Sequence, residues 1–257
     1  MQRRQQWRRP GKESAMTTLL KLDRLNKAFG AVKVADQQSF EVKENEAVGI
    51  IGPNGAGKTS LFNLITGTMA ANSGTIEFNQ RDVTGWSAAR RSHAGIARSF
   101  QVPQPFSGLT VYENAMVAAT QAAGMNGRQA ARHCLEVLDQ TGLLAKANNE
   151  AGKLTLLDRK RLELTRALCA KPKLLLLDEI AGGLTEDECQ SLVQTIKDIH
   201  ASGVTIIWIE HVVHALMAVV ERLIVIDFGK KIAEGEPQAI MDSPEVKEIY
   251  LGIEADA

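Results

Sequence analysis

The sequence predicts an α/β fold: a mostly parallel sheet with helices on both faces, an antiparallel β segment towards the N-terminus and an inserted α-helical segment. Three observations carry this expectation. Near-continuous apolar runs at 47–51, 174–177, 204–209 and 223–226 suit strands that are buried on both faces. Between the second and third of these, Cys189, Leu192, Val193, Ile196 and Ile199 recur at helical spacing, the pattern of an amphipathic crossover helix over 186–200. A glycine-rich loop, 52–59, joins the first apolar run to a helix-like segment, 60–65.

Taken in order, residues 1–16 carry Arg3, Arg4, Arg8, Arg9 and Lys12 around Pro10-Gly11 without the apolar stretch of a secretion signal. They read as a disordered basic extension, a membrane-surface patch remains open, and Met16 is an alternative start. Strands follow at 19–22, 39–42 and 73–78, around one helix. From about 88 to 149 the texture turns alanine-rich and helical, with Ala131, Leu135 and Leu138 expected on one buried face. Asp227-Phe228-Gly229-Lys230 reads as the turn of a late hairpin. The chain divides into the extension, one large domain over 17–252 with a helical subdomain inserted at about 102–170, and a short tail, 253–257.

A chain of 257 residues with 30 basic and 30 acidic side chains can bury one large core and has no global charge favouring nucleic acid. No nucleic-acid partner is expected. Cys134, Cys169 and Cys189 are widely spaced, which suggests neither a zinc site nor a disulfide framework and points to reduced cytosol. No apolar run approaches the length of a membrane span.

The chemistry centres on Gly52-Pro53-Asn54-Gly55-Ala56-Gly57-Lys58-Thr59, which fits the phosphate-cradling pattern G-x-x-x-x-G-K-[ST] at every fixed position. Its backbone N–H groups and the following helix N-terminus, entered through Ser60, favour an anion. Lys58 would reach the outer phosphates and Thr59 would hold Mg²⁺. Strand 174–177 ends in Asp178-Glu179 at the edge where a parallel sheet opens onto its ligand. Asp178 is a candidate Mg²⁺ ligand through water, and Glu179 a candidate to polarise the water attacking a γ-phosphate. His211 follows strand 204–209 at the same edge and could fix that water, and Gln101 could contact both Mg²⁺ and water.

In order and spacing these elements resemble the nucleotide-binding subunits of ABC transporters over nearly all of 17–252. The resemblance implies the RecA-like core of a P-loop NTPase, ATP and Mg²⁺ as ligands, and Phe29 as the aromatic residue that stacks on adenine. It aligns Leu154-Thr155-Leu156-Leu157-Asp158 with the signature segment L-S-G-G-Q, which in the family caps the γ-phosphate bound by the opposite subunit. Thr155 keeps the hydroxyl, but two leucines and an aspartate replace glycine, glycine and glutamine. The leucines should crowd the backbone approach, and at about 8 Å Asp158 would repel a phosphate charge by roughly 2 kcal/mol at an effective dielectric of 20. Backbone N–H groups at 156 and 157 remain an alternative contact. The expectation is an asymmetric heterodimer with a second ATPase subunit.

The stretches 95–101, 109–114, 227–235 and 244–252 are similar to the ATPase subunits of branched-chain amino acid importers, with urea importers and the lipopolysaccharide exporter as near relatives. That likeness implies a peripheral subunit at the cytoplasmic face of the inner membrane, paired beneath two permeases that a periplasmic binding protein feeds. A non-transport ABC ATPase would normally carry a long coiled coil, and no sustained heptads are present.

Overall fold

Strand β3 (Ala47–Ile51) is buried at every position because both of its faces are covered, and the rest of the fold is arranged about it. The computed structural model describes residues 17–251, so the extension 1–16 and the tail 253–257 lie outside the described residues. Two sheets form. The first is antiparallel, in the order β2 (Val32–Lys43), β1 (Thr18–Phe29), β4 (Ser73–Phe78), β5 (Arg81–Asp82). The second has six strands in the order β10 (Lys230–Gly235), β9 (Arg222–Asp227), β3, β8 (Thr205–Ile209), β7 (Leu174–Asp178), β6 (Ile96–Arg98), parallel except for the β9–β10 hairpin.

Helix α1 (Lys58–Thr66) lies between the sheets, where Leu61, Phe62, Leu64 and Ile65 share one apolar cluster with Leu20 and Leu22 of β1 and Leu174 and Leu176 of β7. The alternate residues Leu175 and Leu177 face the opposite cluster, formed with α5 (Leu156–Cys169), α6 (Glu186–Ala201) and α7 (Val213–Met217). Strict alternation between two dry faces explains why these strands read as unbroken apolar runs. The remaining helices are α2 (Ala88–Ala94), α3 (Val111–Gln121), α4 (Gly127–Gln140), α8 (Pro237–Asp242) and α9 (Pro244–Leu251).

Two sequence expectations need correction here. The buried stripe of α4 is Ala130, Cys134, Val137 and Leu138, while Leu135 is 45% exposed. Of the expected face of Ala131, Leu135 and Leu138, only Leu138 lies on that stripe; Ala131 and Leu135 each follow a buried residue, one position or about 100° round the helix. The helical texture after residue 88 is also interrupted by β6, too short for strand periodicity to register, whose backbone pairs with β7.

Candidate active site

The loop 52–59 leaves the carboxyl end of β3 and needs glycine where it is most tightly held. At Gly52 a Cβ would stand 2.0 Å from the Ile226 carbonyl oxygen; at Gly57, whose φ is 103°, it would stand 2.3 Å from that of Val34. Gly57 begins α1 with no side-chain cap, so the first N–H groups of the helix face an open cleft of about 300 Å³. Asn54, Gly55, Ala56, Gly57, Lys58, Thr59, Ser60, Glu179 and Val34 line it. The late hairpin braces the loop from behind: the Gly229 N–H donates to the Ala56 carbonyl at 2.9 Å, and the Gly229 carbonyl accepts from Asp36 N–H and Gln38 Nε2.

Lys58 is 5% exposed, and its ammonium donates to the carbonyls of Gly52 and Pro53 at 2.6 and 2.9 Å. Burial lowers its pKa below the ordinary lysine value, while Glu179 and Asp178 pull it back up. Both carboxylates therefore act on the ammonium across the cleft.

Asp178 ends β7 and is buried. Arg98 of β6 holds its Oδ2, and the same guanidinium donates to Asn63 Oδ1 at 2.6 Å, tying α1 to the sheet edge. Asp178 Oδ1 is buried without a hydrogen-bond partner, and burial raises the carboxyl pKa against the pull of Arg98. Glu179 takes a left-handed backbone, φ 46°, costly for a non-glycine residue. Its N–H donates to the Ile209 carbonyl at 2.8 Å. Its carboxylate is gripped at both oxygens, by His211 Nε2 at 2.8 Å and by Gln101 Nε2.

The structure therefore brings together Lys58, Thr59, Asp178, Glu179, Gln101 and His211. Phe29 and Thr155 stand apart from the cleft lining. Phe29 is 53% exposed at the end of β1, with the Lys27 ammonium 5.0 Å from its ring centre. Thr155 caps α5, accepting from the Asp158 N–H and donating to Asp158 Oδ2. Asp158 is not the bare repelling charge expected of it: it is 4% exposed and Lys146 Nζ lies 2.5 Å from Oδ2. Arg98, Asn63, Glu210 and Lys160 were missed, because their roles come from contacts across the sheet edge. The signal available was an arginine beside Ser99 and a glutamate directly after an apolar strand.

The family described as ABC transporter matches residues 35–182, and the branched-chain amino acid ATP-binding cassette transporter family matches residues 230–256. The high-affinity branched-chain amino acid transport ATP-binding protein LivG of Salmonella typhimurium is 35% identical, over 91% of this chain and 98% of its own length. The lipopolysaccharide export system ATP-binding protein LptB of Haemophilus influenzae is 32% identical over the same shares. An ATP-binding cassette of an ABC transporter crystallised in its ADP conformation superposes with a TM-score of 0.85 at 30% identity, covering 92% of this chain and 100% of that one. Among the described residues no helix is long and apolar enough to cross a membrane. With the phosphate loop, the paired carboxylates and the histidine assembled at one sheet edge, the chain belongs to the ABC transporter family as an ATP-binding cassette ATPase.

Proposed function

We propose that this ATPase energises uptake of branched-chain amino acids. The observation that carries the substrate is the match of residues 230–256 to the branched-chain amino acid ATP-binding cassette transporter family, alongside the likeness to LivG over 91% of the chain. The chain would sit peripherally on the cytoplasmic face of the inner membrane, under two permeases fed by a periplasmic binding protein. The helical segment 102–170 of the domain 17–252, with Gln101 at its start, would pass closure on to the permeases.

In the proposed reaction, Phe29 stacks on adenine and the loop 52–59 holds the phosphates with its N–H groups and Lys58. Lys58 would exchange its two carbonyl partners for phosphate oxygens, which its buried charge favours. The buried, unpartnered Oδ1 of Asp178, acting through water, with the Thr59 hydroxyl and the Gln101 amide oxygen would supply hard oxygen donors of the kind Mg²⁺ takes. When bound, the ion would neutralise charge on the β- and γ-phosphates. Glu179 accepts a proton from the attacking water, and His211 and Gln101 fix the carboxylate that receives it.

The second ATPase subunit is proposed to be a different chain. Thr155 spends both hydrogen-bonding roles on Asp158, and the side chains of Leu156 and Leu157 stand where glycine would leave the backbone open. A homodimer would carry that feature twice. A strain lacking the chain should lose high-affinity leucine uptake by intact cells and regain it with the wild-type chain. Intact leucine uptake with lost urea uptake, or with lost lipopolysaccharide export, would transfer the assignment to those systems.

A further inference from the structure

Glu179 keeps an unfavourable left-handed backbone, which persists only where its surroundings over-determine it. Two of the restraints belong to the catalytic edge: the Ile209 carbonyl takes its N–H, and His211 and Gln101 take its carboxylate. The third comes from another element. Lys160, one turn into α5 and 4% exposed, donates from Nζ to the Glu179 carbonyl at 3.4 Å.

A buried ammonium needs a reason to be there. Burial lowers its pKa below the ordinary lysine value, and Glu210, buried directly after β8, and Glu179 oppose that lowering. Glu210 in turn accepts from the Ala181 N–H at 2.9 Å with one oxygen and from the His211 N–H at 2.9 Å with the other. Lys160 and Glu210 thus hold the chain from Glu179 to Ala181 at its two ends, the first at the Glu179 carbonyl and the second at the Ala181 N–H. Neither touches the cleft where nucleotide would lie.

We propose that Lys160 is a positioning residue, which fixes the main chain of Glu179 and thereby aims its carboxylate at the attacking water. Through it the orientation of the base is tied to α5, the helix whose first turn is Leu156-Leu157-Asp158. The inference rests on Glu179 being the base proposed above.

The test is ATP hydrolysis by the full-length chain, purified from membranes with the subunits that accompany it. Lys160→Met should lower kcat about ten- to hundredfold while KM for ATP stays within about twofold, because misaiming by an ångström slows chemistry without weakening the phosphate grip. Lys160→Arg should restore kcat to within about threefold, since a guanidinium can reach the same carbonyl. A Lys160→Met protein that keeps wild-type kcat, or one whose loss Lys160→Arg fails to recover, overturns the inference. If Lys160→Met does not fold, Lys160→Gln serves: its shorter amide should give the same kcat defect at unchanged KM, and wild-type kcat would again overturn the proposal. Glu179→Gln assayed alongside separates the two readings. Turnover surviving in that variant removes the base itself, whereas a dead Glu179→Gln beside a fully active Lys160→Met removes only the role of Lys160.

Discussion

His211 binds Glu179 through Nε2 at 2.8 Å, and the opposite carboxylate oxygen is taken by Gln101. A carboxylate fixed at both oxygens cannot swing away from a water in front of it. Replacing His211 with alanine should therefore reduce kcat up to about 10²-fold, the cost of misplacing the base by about an ångström, with nucleotide affinity retained. Equilibrium binding of a fluorescent ATP analogue alongside steady-state hydrolysis checks this, and a parallel loss of affinity would contradict it.

Lys58 is pre-placed by the carbonyls of Gly52 and Pro53, neutral partners that a phosphate would replace with a charge-assisted bond. Lys58→Ala should weaken ATP binding about 10- to 100-fold, the equivalent of a charged hydrogen bond worth about 1.5–3 kcal/mol. Calorimetric titration giving an unchanged Kd would refute the role.

Arg98 is the counter-ion of Asp178, and both are buried. Removing one member of such a pair strands the other charge, at about 3–5 kcal/mol. Arg98→Met should lower the unfolding free energy by that amount, whereas the double variant Arg98→Met with Asp178→Asn should recover much of the loss. Denaturant titration of both proteins reports the difference.

Replacing Leu156 and Leu157 together by glycine should raise ATP turnover of the assembled complex if side-chain bulk obstructs the composite site. The helix start would lose about 1–2 kcal/mol, since glycine costs roughly 0.5–1 kcal/mol per helical position. Unchanged turnover at the expected loss of stability would acquit the leucines. The heterodimer itself is checked by mixing with the neighbouring ATPase subunit; hydrolysis by this chain alone as fast as by the pair would exclude it.

Glu113 closes a capping box with Thr110 at the start of α3, and the Thr110 N–H and hydroxyl lower its pKa. A carboxylate with a depressed folded-state pKa adds stability above its unfolded value, and this is lost as pH falls through the folded value. Glu113→Gln should lower Tm at neutral pH, and the difference from wild type should shrink as pH falls below the ordinary glutamate value; thermal melts across that range read the sign directly.

Much of this was legible in the chain because the determinants are local. Gly52 to Thr59 must be a phosphate loop wherever a strand precedes it and a helix follows, and the runs 174–177 and 204–209 carry Asp178, Glu179 and His211 to one edge by strand length alone. What stayed hidden depends on side chains meeting across elements. Nothing near Arg98 in sequence announces Asp178, and nothing near Lys146 announces Asp158, which the structure neutralises. The face of α4 was misread because alanine and leucine occur on both sides of the true stripe.

The bracing of the phosphate loop by Gly229 carries an evolutionary corollary. The segment that marks this branch of cassettes begins at Lys230, immediately after the residue clasped by Ala56, Asp36 and Gln38. A chimera that exchanged the C-terminal strand and helices for those of a cassette serving another cargo would disturb the seat of the nucleotide loop unless Gly229 and its three partners travelled as a set.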